Sequence, residues 1–280
     1  MTGRQNGIIK MIALDLDGTT LNKVGFLTQR TRKTLMDVHG LGVHVVVSTG
    51  RAYAFLPKFM YENASMEYVI TSNGAVIMEL KSGSMIYENK ISPRSVEDVA
   101  NALRHVQCTI DVMVNGKAYI AADVMEEMRL NGSTYRDTTY VLATRHPVKN
   151  IYDFMIENEE NIENISITYP EPEDKAAIRE ALSDINNITI TSSFSNNFEI
   201  GGATTSKATA LKYLMQHLDV SREGLMACGD SHNDIAMIEM AGVGVAVANA
   251  EPEVLKSADH ITASNDEDGV AKAIEEFVLK

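Results

Sequence analysis

The segment at residues 12–20 most constrains the fold, because a short apolar run there ends in two aspartates one residue apart. Ile-Ala-Leu precedes Asp15, and Gly-Thr-Thr follows Asp17. This pattern is typical of a short buried strand followed by a loop at its carboxyl end. In open α/β sheets, ligands bind at that end. Because neighbouring carboxylates repel each other, the segment predicts a cation or a phosphate-bearing reaction beside Asp15 and Asp17.

Strand-like and helix-like runs alternate after this segment and again near the end of the chain. A helical pattern over 28–41 is followed by β-branched or apolar runs at Val43–Val47 and Tyr68–Thr71. A second series begins with a helical pattern over 206–218 and a strand pattern at 225–229. Short connections between such elements favour right-handed parallel crossovers. The predicted fold class is α/β, with a doubly wound, Rossmann-like parallel core sheet.

The middle of the chain has a different pattern, in which hairpins are mixed with helices. Asn115-Gly116 lies between two alternating runs, which is a strong hairpin signal, and a further turn is expected at 195–197. Such a mixture favours an α+β unit built on an antiparallel sheet. The expected domains are a discontinuous core of residues 1–83 and 197–280, and an inserted α+β domain of residues 84–196.

Charge and composition limit the kinds of partner that the protein can bind and indicate its cellular compartment. The 280 residues carry a formal net charge of -13, which repels nucleic acid and anionic membranes at long range. Local cations and backbone amides can still bind a small phosphorylated substrate. Cys108 and Cys228 have no metal-binding spacing, and Cys228 is expected to be a buried free thiol. The first ten residues are polar, and no apolar run approaches the ~20 residues of a membrane span, so a cytoplasmic protein is predicted.

Residues suited to phosphate chemistry occur at other strand ends and at one helix start. They are Thr49, Gly50, Lys207, Asp230, Asn233 and Asp234. Because the carboxyl ends of neighbouring parallel strands open into one crevice, these residues are expected to lie near Asp15 and Asp17. Each feature alone has low specificity, but together they indicate phosphoryl transfer.

Electrostatics indicates how these residues divide the chemistry. Several carboxylates around an anionic phosphate need a hard cation, and Mg²⁺ is bound by few carboxylates and keeps its waters. Asp15 can attack phosphorus to form an aspartyl phosphate. Asp17 can protonate the leaving oxygen and then activate water. Thr49 and Gly50 offer a hydroxyl and a backbone amide to the transferred group.

Two charged residues lie at predicted helix starts, where the helix dipole makes their positions informative about their roles. Lys207 is in a first helical turn, where the macrodipole disfavours a cation. A bound phosphate would favour both the ammonium and the helix terminus, so a phosphate-binding lysine explains this placement better than a solvated one. Asp234 in its first turn can complement the dipole, whereas Asp230 on the preceding loop is the better candidate metal ligand.

The same motifs also have simpler structural interpretations. Asp-x-Asp-Gly can open a calcium loop, but Thr20 occupies the required glycine position and Phe26 the closing glutamate position. The calcium-loop pattern therefore fails. A solvated acidic turn and an ordinary Thr49-Gly50 turn remain as alternatives for each motif taken alone.

In this order, the motifs resemble those of the haloacid dehalogenase-like hydrolases, specifically the Cof-type sugar phosphatases with a large α/β cap. The resemblance covers nearly the whole core and rests on Asp15-Leu16-Asp17-Gly18-Thr19, Thr49-Gly50-Arg51, Ser72-Asn73-Gly74-Ala75, Lys207 and Gly229-Asp230-Ser231-His232-Asn233-Asp234. Two departures are the alanine at 208, where the family usually has glycine, and the less typical segment at 201–205. Both could alter how Lys207 is presented.

The resemblance implies roles for the same residues. Asp15 would be the nucleophile and Asp17 the acid/base. Mg²⁺ would be bound by Asp15, the backbone carbonyl of Asp17 and Asp230. The implied phosphate contacts are Thr49, Gly50, Lys207 and Asn233, with Asp234 supporting Lys207 or the metal shell. The insert would be a cap that closes over the site, excludes water and selects the leaving group.

The sequence is compatible with three functions. The leading one is a Mg²⁺-dependent phosphatase that hydrolyses small phosphorylated metabolites, sugar phosphates in particular, through an aspartyl phosphate. A sugar phosphomutase would instead form an isomer, and only with a bisphosphate primer. A non-catalytic phosphometabolite sensor would bind without turnover. The sequence does not single out which residues of the insert contact the substrate, and it does not indicate the oligomeric state.

Overall fold

The computed structural model describes residues 9–62, 65–193 and 196–280. Most of the polar N-terminal segment and the first residue of the turn expected at 195–197 lie outside these ranges. The described strands form one eight-stranded sheet and one six-stranded sheet. We call them the core sheet and the insert sheet.

The strands are numbered in chain order. They are β1 (Met11–Leu14), β2 (His44–Ser48), β3 (Met66–Thr71), β4 (Val76–Glu79), β5 (Ser84–Glu88), β6 (Thr109–Val114), β7 (Lys117–Ala121), β8 (Arg145–Val148), β9 (Ile162–Thr168), β10 (Ile188–Thr191), β11 (Asn197–Gly202), β12 (Leu225–Gly229), β13 (Val243–Ala246) and β14 (His260–Ile261). The α-helices are α1 (Gln29–Gly40), α2 (Phe59–Glu62), α3 (Pro93–Leu103), α4 (Ala122–Asn131), α5 (Thr138–Thr144), α6 (Ile151–Glu157), α7 (Asp174–Leu182), α8 (Lys207–His217), α9 (Ile235–Met240), α10 (Pro252–Ser257) and α11 (Gly269–Phe277).

The core sheet has the strand order β14-β13-β12-β1-β2-β3-β4-β5. Strands β14 to β3 are parallel, with β1 between β12 and β2. The chain leaves β1 in one direction toward β2 and returns on its other side at β12, which makes their carboxyl ends a topological switch point. The predicted doubly wound α/β fold is confirmed.

Alternate residues of β1 serve the two faces of the core sheet. Ile12 and Leu14 belong to the apolar cluster formed with helices α1 and α11. Met11 and Ala13 belong to a second cluster, formed with helix α8. Burial on both faces explains why this strand has a continuous apolar sequence instead of an alternating one.

Two details of the core differ from the sequence expectation. The segment after Gly50 is expected to be helical to about Tyr61, but it forms only a 3₁₀ turn at Tyr53–Phe55 and the short helix α2. Pro57 interrupts it, because a proline lacks the amide hydrogen and disfavours helical backbone in the preceding residue. Strands β4 and β5 extend the core sheet in antiparallel fashion, which was not predicted.

The insert sheet has the order β10-β11-β9-β6-β7-β8 and is antiparallel except for the β7–β8 pair. The predicted hairpin at Asn115-Gly116 joins β6 to β7, and both turn residues have positive φ, of 49° and 74°. One face of the sheet packs on helices α3, α6 and α7. Helices α4 and α5 and strand β8 were not predicted.

The chain passes between the sheets twice, after β5 and after β11. Strand β5 belongs to the core sheet, although the boundary expected at 83/84 would put it in the insert. Strand β11 belongs to the insert sheet, although the boundary expected at 196/197 would put it in the core. The two crossings are hydrogen-bonded to each other. The Thr205 hydroxyl donates to the backbone carbonyl of Asn89 at 2.7 Å, and the side-chain amide of Asn89 donates to the Thr204 hydroxyl at 3.0 Å.

The remaining general expectations concern cysteine and membranes. Cys228 is a buried free thiol, and burial raises its pKa to about 12. In the described part of the chain, no helix combines the length and apolar character required to cross a bilayer.

Candidate active site

The loop after β1 brings Asp15 close to the end of β12. Gly18 has a φ of 84°, and a Cβ on it would lie 2.5 Å from Oδ2 of Asp230. A larger residue would therefore push these two loops apart. The Thr19 hydroxyl donates a 2.7 Å hydrogen bond to Oδ1 of Asp230. The loop sequence thus explains how Asp15 and Asp230 come to face one another.

Lys207 lies at the centre of the site and is only 1% exposed. Its Nζ donates to Oδ1 of Asp15 at 2.6 Å and to Oδ1 of Asp234 at 2.7 Å. Burial opposes the charge, but the two carboxylates outweigh it and raise the pKa of Lys207. The interpretation of Lys207 as a solvated surface lysine is therefore wrong.

A close approach of backbones positions this lysine. A Cβ on Gly74, whose φ is 101°, would lie 2.1 Å from the Ser206 carbonyl oxygen. This glycine lets the start of helix α8 enter the site, with the Ser206 hydroxyl accepting from the Thr209 amide as the helix cap. The alanine at 208 does not keep Nζ of Lys207 away from Asp15.

Asp234 has both oxygens committed inside the protein and is fully buried. Its Oδ1 accepts from Lys207, and its Oδ2 accepts from the backbone amides of Asp230 and Ser231 at 3.0 and 3.1 Å. Gly229 makes room for it, since a Cβ there would lie 2.4 Å from that of Asp234. Asp234 therefore fixes both the lysine and the loop that carries Asp230, which is more than complementing a helix dipole.

A group of carboxylates fits a metal ion. Oxygens of Asp15, Asp230 and Asp234 lie within 4.8 Å of one another. Oδ2 of Asp15 is buried and has no hydrogen-bond partner among the described residues. Burial raises the pKa of Asp15 well above its usual value; Lys207 opposes this rise, while Asp234 and Asp230 add to it. An unpartnered carboxylate oxygen beside further carboxylates is a suitable donor set for a hard divalent cation.

The loops after β2 and β3 form a second wall of the site. Thr49 is buried, and its carbonyl accepts from the Asn73 amide at 3.1 Å. The Asn233 amide donates to Oδ1 of Asn73 at 3.0 Å. A Cβ on Gly50 would lie 3.2 Å from the Asn73 side chain. The structure thus brings the predicted Thr49, Gly50 and Asn233 together through Asn73, whose backbone has a φ of 56°.

Asp17 does not join the carboxylate group and instead pairs with Arg51. The guanidinium Nε donates to Oδ2 at 2.7 Å, and Nη2 donates to Oδ1 at 2.6 Å. Arg51 also lies over the ring of Tyr140, 5.5 Å from its centroid. Arg51 belongs to the Thr49-Gly50-Arg51 motif, but the sequence does not predict its role, because Asp17 and Tyr140 lie far from it along the chain.

A cavity of about 320 Å³ opens above these residues, between the core sheet and the insert sheet. Its floor includes Asp15, Asp17 and Thr49, whereas Lys207 and Asp230 do not belong to its lining. The insert residues that line it are Met113, Ala118, Asp137, Tyr140, Arg145, Ser166, Ser193 and Glu199. The sequence prediction named none of them.

One signal in the sequence could have found several of these insert residues. Polar and apolar residues alternate in β6, in β9 and in β11, as in Ile165-Ser166-Ile167-Thr168. The apolar members pack on the helices of the insert. The polar members of an alternating strand face the other way, and here that side holds Ser166 and Glu199 of the cavity wall. Such polar residues usually face solvent, and only the fold shows that these face the core.

Comparison with known proteins identifies the family. A sequence profile described as haloacid dehalogenase-like hydrolase matches residues 12–274. The chain belongs to the haloacid dehalogenase-like hydrolases. The resemblance indicated by the motifs is confirmed.

Three similar proteins agree with this family. A 5-amino-6-(5-phospho-D-ribitylamino)uracil phosphatase of Bacillus subtilis is 32% identical over 99% of this chain and 98% of its own length. Another Bacillus subtilis phosphatase is 30% identical over 94% of this chain and 98% of its own length. A haloacid dehalogenase-like hydrolase from B. subtilis has a solved structure that superimposes with a TM-score of 0.81 at 29% identity, covering 95% of this chain and 99% of its own. These relatives confirm the predicted enzyme class, a phosphoric monoester hydrolase.

Proposed function

We propose that this haloacid dehalogenase-like hydrolase is a Mg²⁺-dependent phosphatase that hydrolyses small phosphorylated metabolites, in particular sugar phosphates, through an aspartyl phosphate. The supporting observation is Asp15 itself. It lies at the floor of the cavity with Oδ1 held by Lys207, and its buried Oδ2 has no hydrogen-bond partner in the described ranges. A carboxylate fixed at one oxygen and free at the other is suited to nucleophilic attack.

The metal would be held by the carboxylates of Asp15 and Asp230 and by the backbone carbonyl of Asp17. It would supply positive charge against the negative charge of the phosphate and of the carboxylates. Oxygen ligands of this kind suit Mg²⁺. Asp234 is not assigned as a direct ligand, because Lys207 and two backbone amides already occupy its oxygens.

In the first half-reaction, Asp15 attacks phosphorus while the bond from phosphorus to the ester oxygen breaks. Asp17 gives a proton to the departing oxygen, so an alcohol leaves. In the second half-reaction, Asp17 takes a proton from water, whose oxygen attacks phosphorus; the bond from phosphorus to Asp15 breaks, which releases inorganic phosphate and restores the Asp15 carboxylate. Lys207, Thr49 and Asn233 would bind the phosphoryl oxygens throughout.

The insert, with its six-stranded sheet, would act as a cap that selects the leaving group. Its residues supply one side of the cavity, and the candidate nucleophile lies on the other. We place the domain division at the two crossings between the sheets, after β5 and after β11. One relative is named for a substrate with a phosphorylated ribityl chain, which supports a polyhydroxylated leaving group for this enzyme as well.

The test is release of inorganic phosphate from a panel of sugar, polyol, nucleotide and cofactor phosphates in the presence of Mg²⁺. We expect turnover of several sugar or polyol phosphates by the wild type. Asp15→Asn serves as the inactive control on the same panel. An isomer formed only with a bisphosphate primer would indicate a phosphomutase instead, and ligand-induced stabilisation without turnover would indicate a sensor.

A further inference from the structure

We infer that Glu199, with Ser166 beside it, binds hydroxyl groups of the leaving alcohol, and so makes this enzyme selective for phosphate esters of sugars and polyols. The inference rests on the proposed phosphatase activity and adds the residues that read the substrate. It starts from one row of the insert sheet. Asp111 of β6, Ser166 of β9 and Glu199 of β11 are direct cross-strand neighbours.

Residues paired across strands point to the same face of a sheet. Ser166 and Glu199 both line the cavity, so this row faces the reacting groups. The neighbours of Glu199 in its own strand, Phe198 and Ile200, belong to the apolar cluster on the opposite face. The alternation of β11 therefore places a carboxylate in the cavity wall.

One oxygen of Asp111, at the other end of the row, is already occupied by two arginines. Its Oδ2 accepts from Nη2 of Arg136 at 2.5 Å and from Nε of Arg145 at 2.9 Å. The negative charge of Asp111 is therefore balanced inside the insert. Its structural role is to hold Arg145 against the cavity, where that arginine lies beneath the ring of Tyr140 at 5.1 Å.

Glu199 differs from Asp111 because no arginine or lysine of the described residues forms an ion pair with it, whereas Asp111 pairs with two arginines. The side chain is 5% exposed, and its Oε2 makes no hydrogen bond within the part of the chain that the structure describes. A buried carboxylate oxygen without a donor is costly, and in a cavity wall it indicates a ligand that supplies the donor. Burial raises the pKa of Glu199, and the side chains of Asn73 and Ser193, followed by the charges of Lys207 and Arg145, offset that rise only in part.

The position of Glu199 shows which part of a substrate it meets. Its Oε1 lies 3.4 Å from where a Cβ of Gly50 would stand. Gly50 borders the proposed phosphate site, so the carboxylate lies next to the phosphoryl group and faces the first carbons of the leaving alcohol. A hydroxyl on one of those carbons would donate to Oε2.

The chemistry of the row selects among leaving groups. A carboxylate accepts hydrogen bonds from hydroxyl groups and repels a second anionic group. The hydroxyls of Ser166 and Ser193 in the same wall can both donate and accept, which suits neighbouring hydroxyls of a sugar or polyol. An alcohol without further hydroxyls would leave the buried oxygen of Glu199 unpaired, and such a substrate is discriminated against.

The experiment compares ribitol 5-phosphate with p-nitrophenyl phosphate, which has no hydroxyl on its leaving group. We expect Glu199→Ala to lower kcat/KM for ribitol 5-phosphate by roughly tenfold to a hundredfold. We expect less than about a twofold change for p-nitrophenyl phosphate, which does not use the hydrogen bond. Glu199→Gln keeps the shape and one acceptor oxygen, so its loss should be intermediate. Equal losses on both substrates, or no loss on ribitol 5-phosphate, would overturn the inference.

A matched control is Glu163→Gln. Glu163 is also a buried carboxylate of the insert sheet, but it accepts from the Ser72 hydroxyl and the Gly116 amide at 2.7 Å each and does not line the cavity. Any effect of this variant should be the same on the two substrates. A selective loss in Glu163→Gln equal to that in Glu199→Ala would contradict the assignment.

Calorimetry separates this inference from the proposed activity. Ribitol 5-phosphate is titrated into Asp15→Asn and into Asp15→Asn combined with Glu199→Ala. We expect roughly tenfold or more weaker binding to the double variant. Equal affinities would overturn the role of Glu199, whereas a wild type that binds but hydrolyses no phosphate ester would overturn the phosphatase proposal and leave this comparison valid.

Discussion

Arg51 holds the carboxylate of Asp17 through two parallel hydrogen bonds of 2.7 and 2.6 Å. The same guanidinium lies against the ring of Tyr140, which belongs to helix α5 of the insert. One arginine therefore connects the proposed acid/base to the domain that covers it. The two-pronged contact also fixes the orientation of the Asp17 carboxylate, which a single bond would not.

Arg51→Lys should lower kcat for a sugar phosphate by about tenfold, because lysine keeps the charge but cannot hold both oxygens of Asp17. Steady-state kinetics of phosphate release would measure this. Arg32→Lys is the matched control, since Arg32 also lies over an aromatic ring, that of Phe59, but outside the cavity. An Arg51→Lys enzyme with the wild-type kcat would show that the orientation of Asp17 does not limit the reaction.

Asp15→Asn should reduce turnover by at least about 10⁴-fold, because it removes the nucleophile. Phosphate release measures the rate, and mass spectrometry of enzyme quenched in acid measures the aspartyl phosphate. The variant loses the charge that faces Lys207, so its thermal unfolding must be recorded to establish that it is folded. Normal phosphate release by a folded Asp15→Asn protein would contradict the mechanism.

Asp17→Asn should fold normally and slow both half-reactions by about a hundredfold or more, since an amide can neither give nor take the proton. Its carboxylate is partly exposed and lies apart from the buried group around Lys207. Rapid-quench measurement of the labelled phosphoenzyme separates the two steps. Formation of the phosphoenzyme at the wild-type rate would exclude Asp17 as the acid of the first step.

Removal of the metal should abolish turnover and also lower stability. Mg²⁺ at about 100 times its Kd should stabilise the wild type by roughly 2.7 kcal/mol, because it binds only the folded site. Thermal unfolding with and without a chelator measures this effect independently of activity. Asp230→Asn should lose most of the Mg²⁺-dependent shift. A shift of the same size in Asp230→Asn would place the cation elsewhere.

Asp111→Asn should destabilise the protein by about 3–5 kcal/mol at neutral pH, because it leaves Arg136 and Arg145 buried without their carboxylate. Burial alone would raise the pKa of Asp111, but the two arginines outweigh it and lower the pKa below its usual value. The stabilisation is therefore complete above the unfolded-state pKa of about 3.9 and is lost as the pH falls through the lower folded-state pKa.

Urea unfolding of the wild type and Asp111→Asn at several pH values would measure this difference. The gap between the two proteins should be constant above about pH 5 and should narrow in acid below pH 4. Asp184→Asn is the control, because Asp184 is an exposed aspartate of the insert. A gap that stays constant down to pH 3 would show that the charge of Asp111 contributes nothing to the folded state.

The core and its candidate reacting residues were readable from the sequence for one physical reason. A strand buried on both faces has a continuous apolar sequence, so the first polar residue after it shows where the strand ends. Asp15, Thr49 and Asp230 all follow such strands. The helical pattern over 206–218 likewise predicted helix α8, which begins at Lys207 directly after its cap, Ser206.

The insert was harder to predict, because the side chains that line the cavity are spread over five strands, one short helix and the segments beside them. Glu199 and Ser166 become neighbours only through the register of β9 with β11. The pairing of Asp111 with Arg136 and Arg145 likewise depends on tertiary contacts 25 and 34 residues apart. The burial of Lys207 was also unpredictable, since a helix start gives no indication of what covers it.

The two crossings are joined by hydrogen bonds from the Thr205 hydroxyl to Asn89 and from the Asn89 side-chain amide to Thr204, which has a consequence for how such an enzyme can evolve. The two ends of the insert therefore lie next to each other where the chain leaves and re-enters the core. Domains with closely spaced ends can be inserted into a host without rerouting its chain. If the insert selects the substrate as proposed, the candidate reacting residues could be inherited unchanged while the whole insert is exchanged, and new specificities could arise without rebuilding the chemistry.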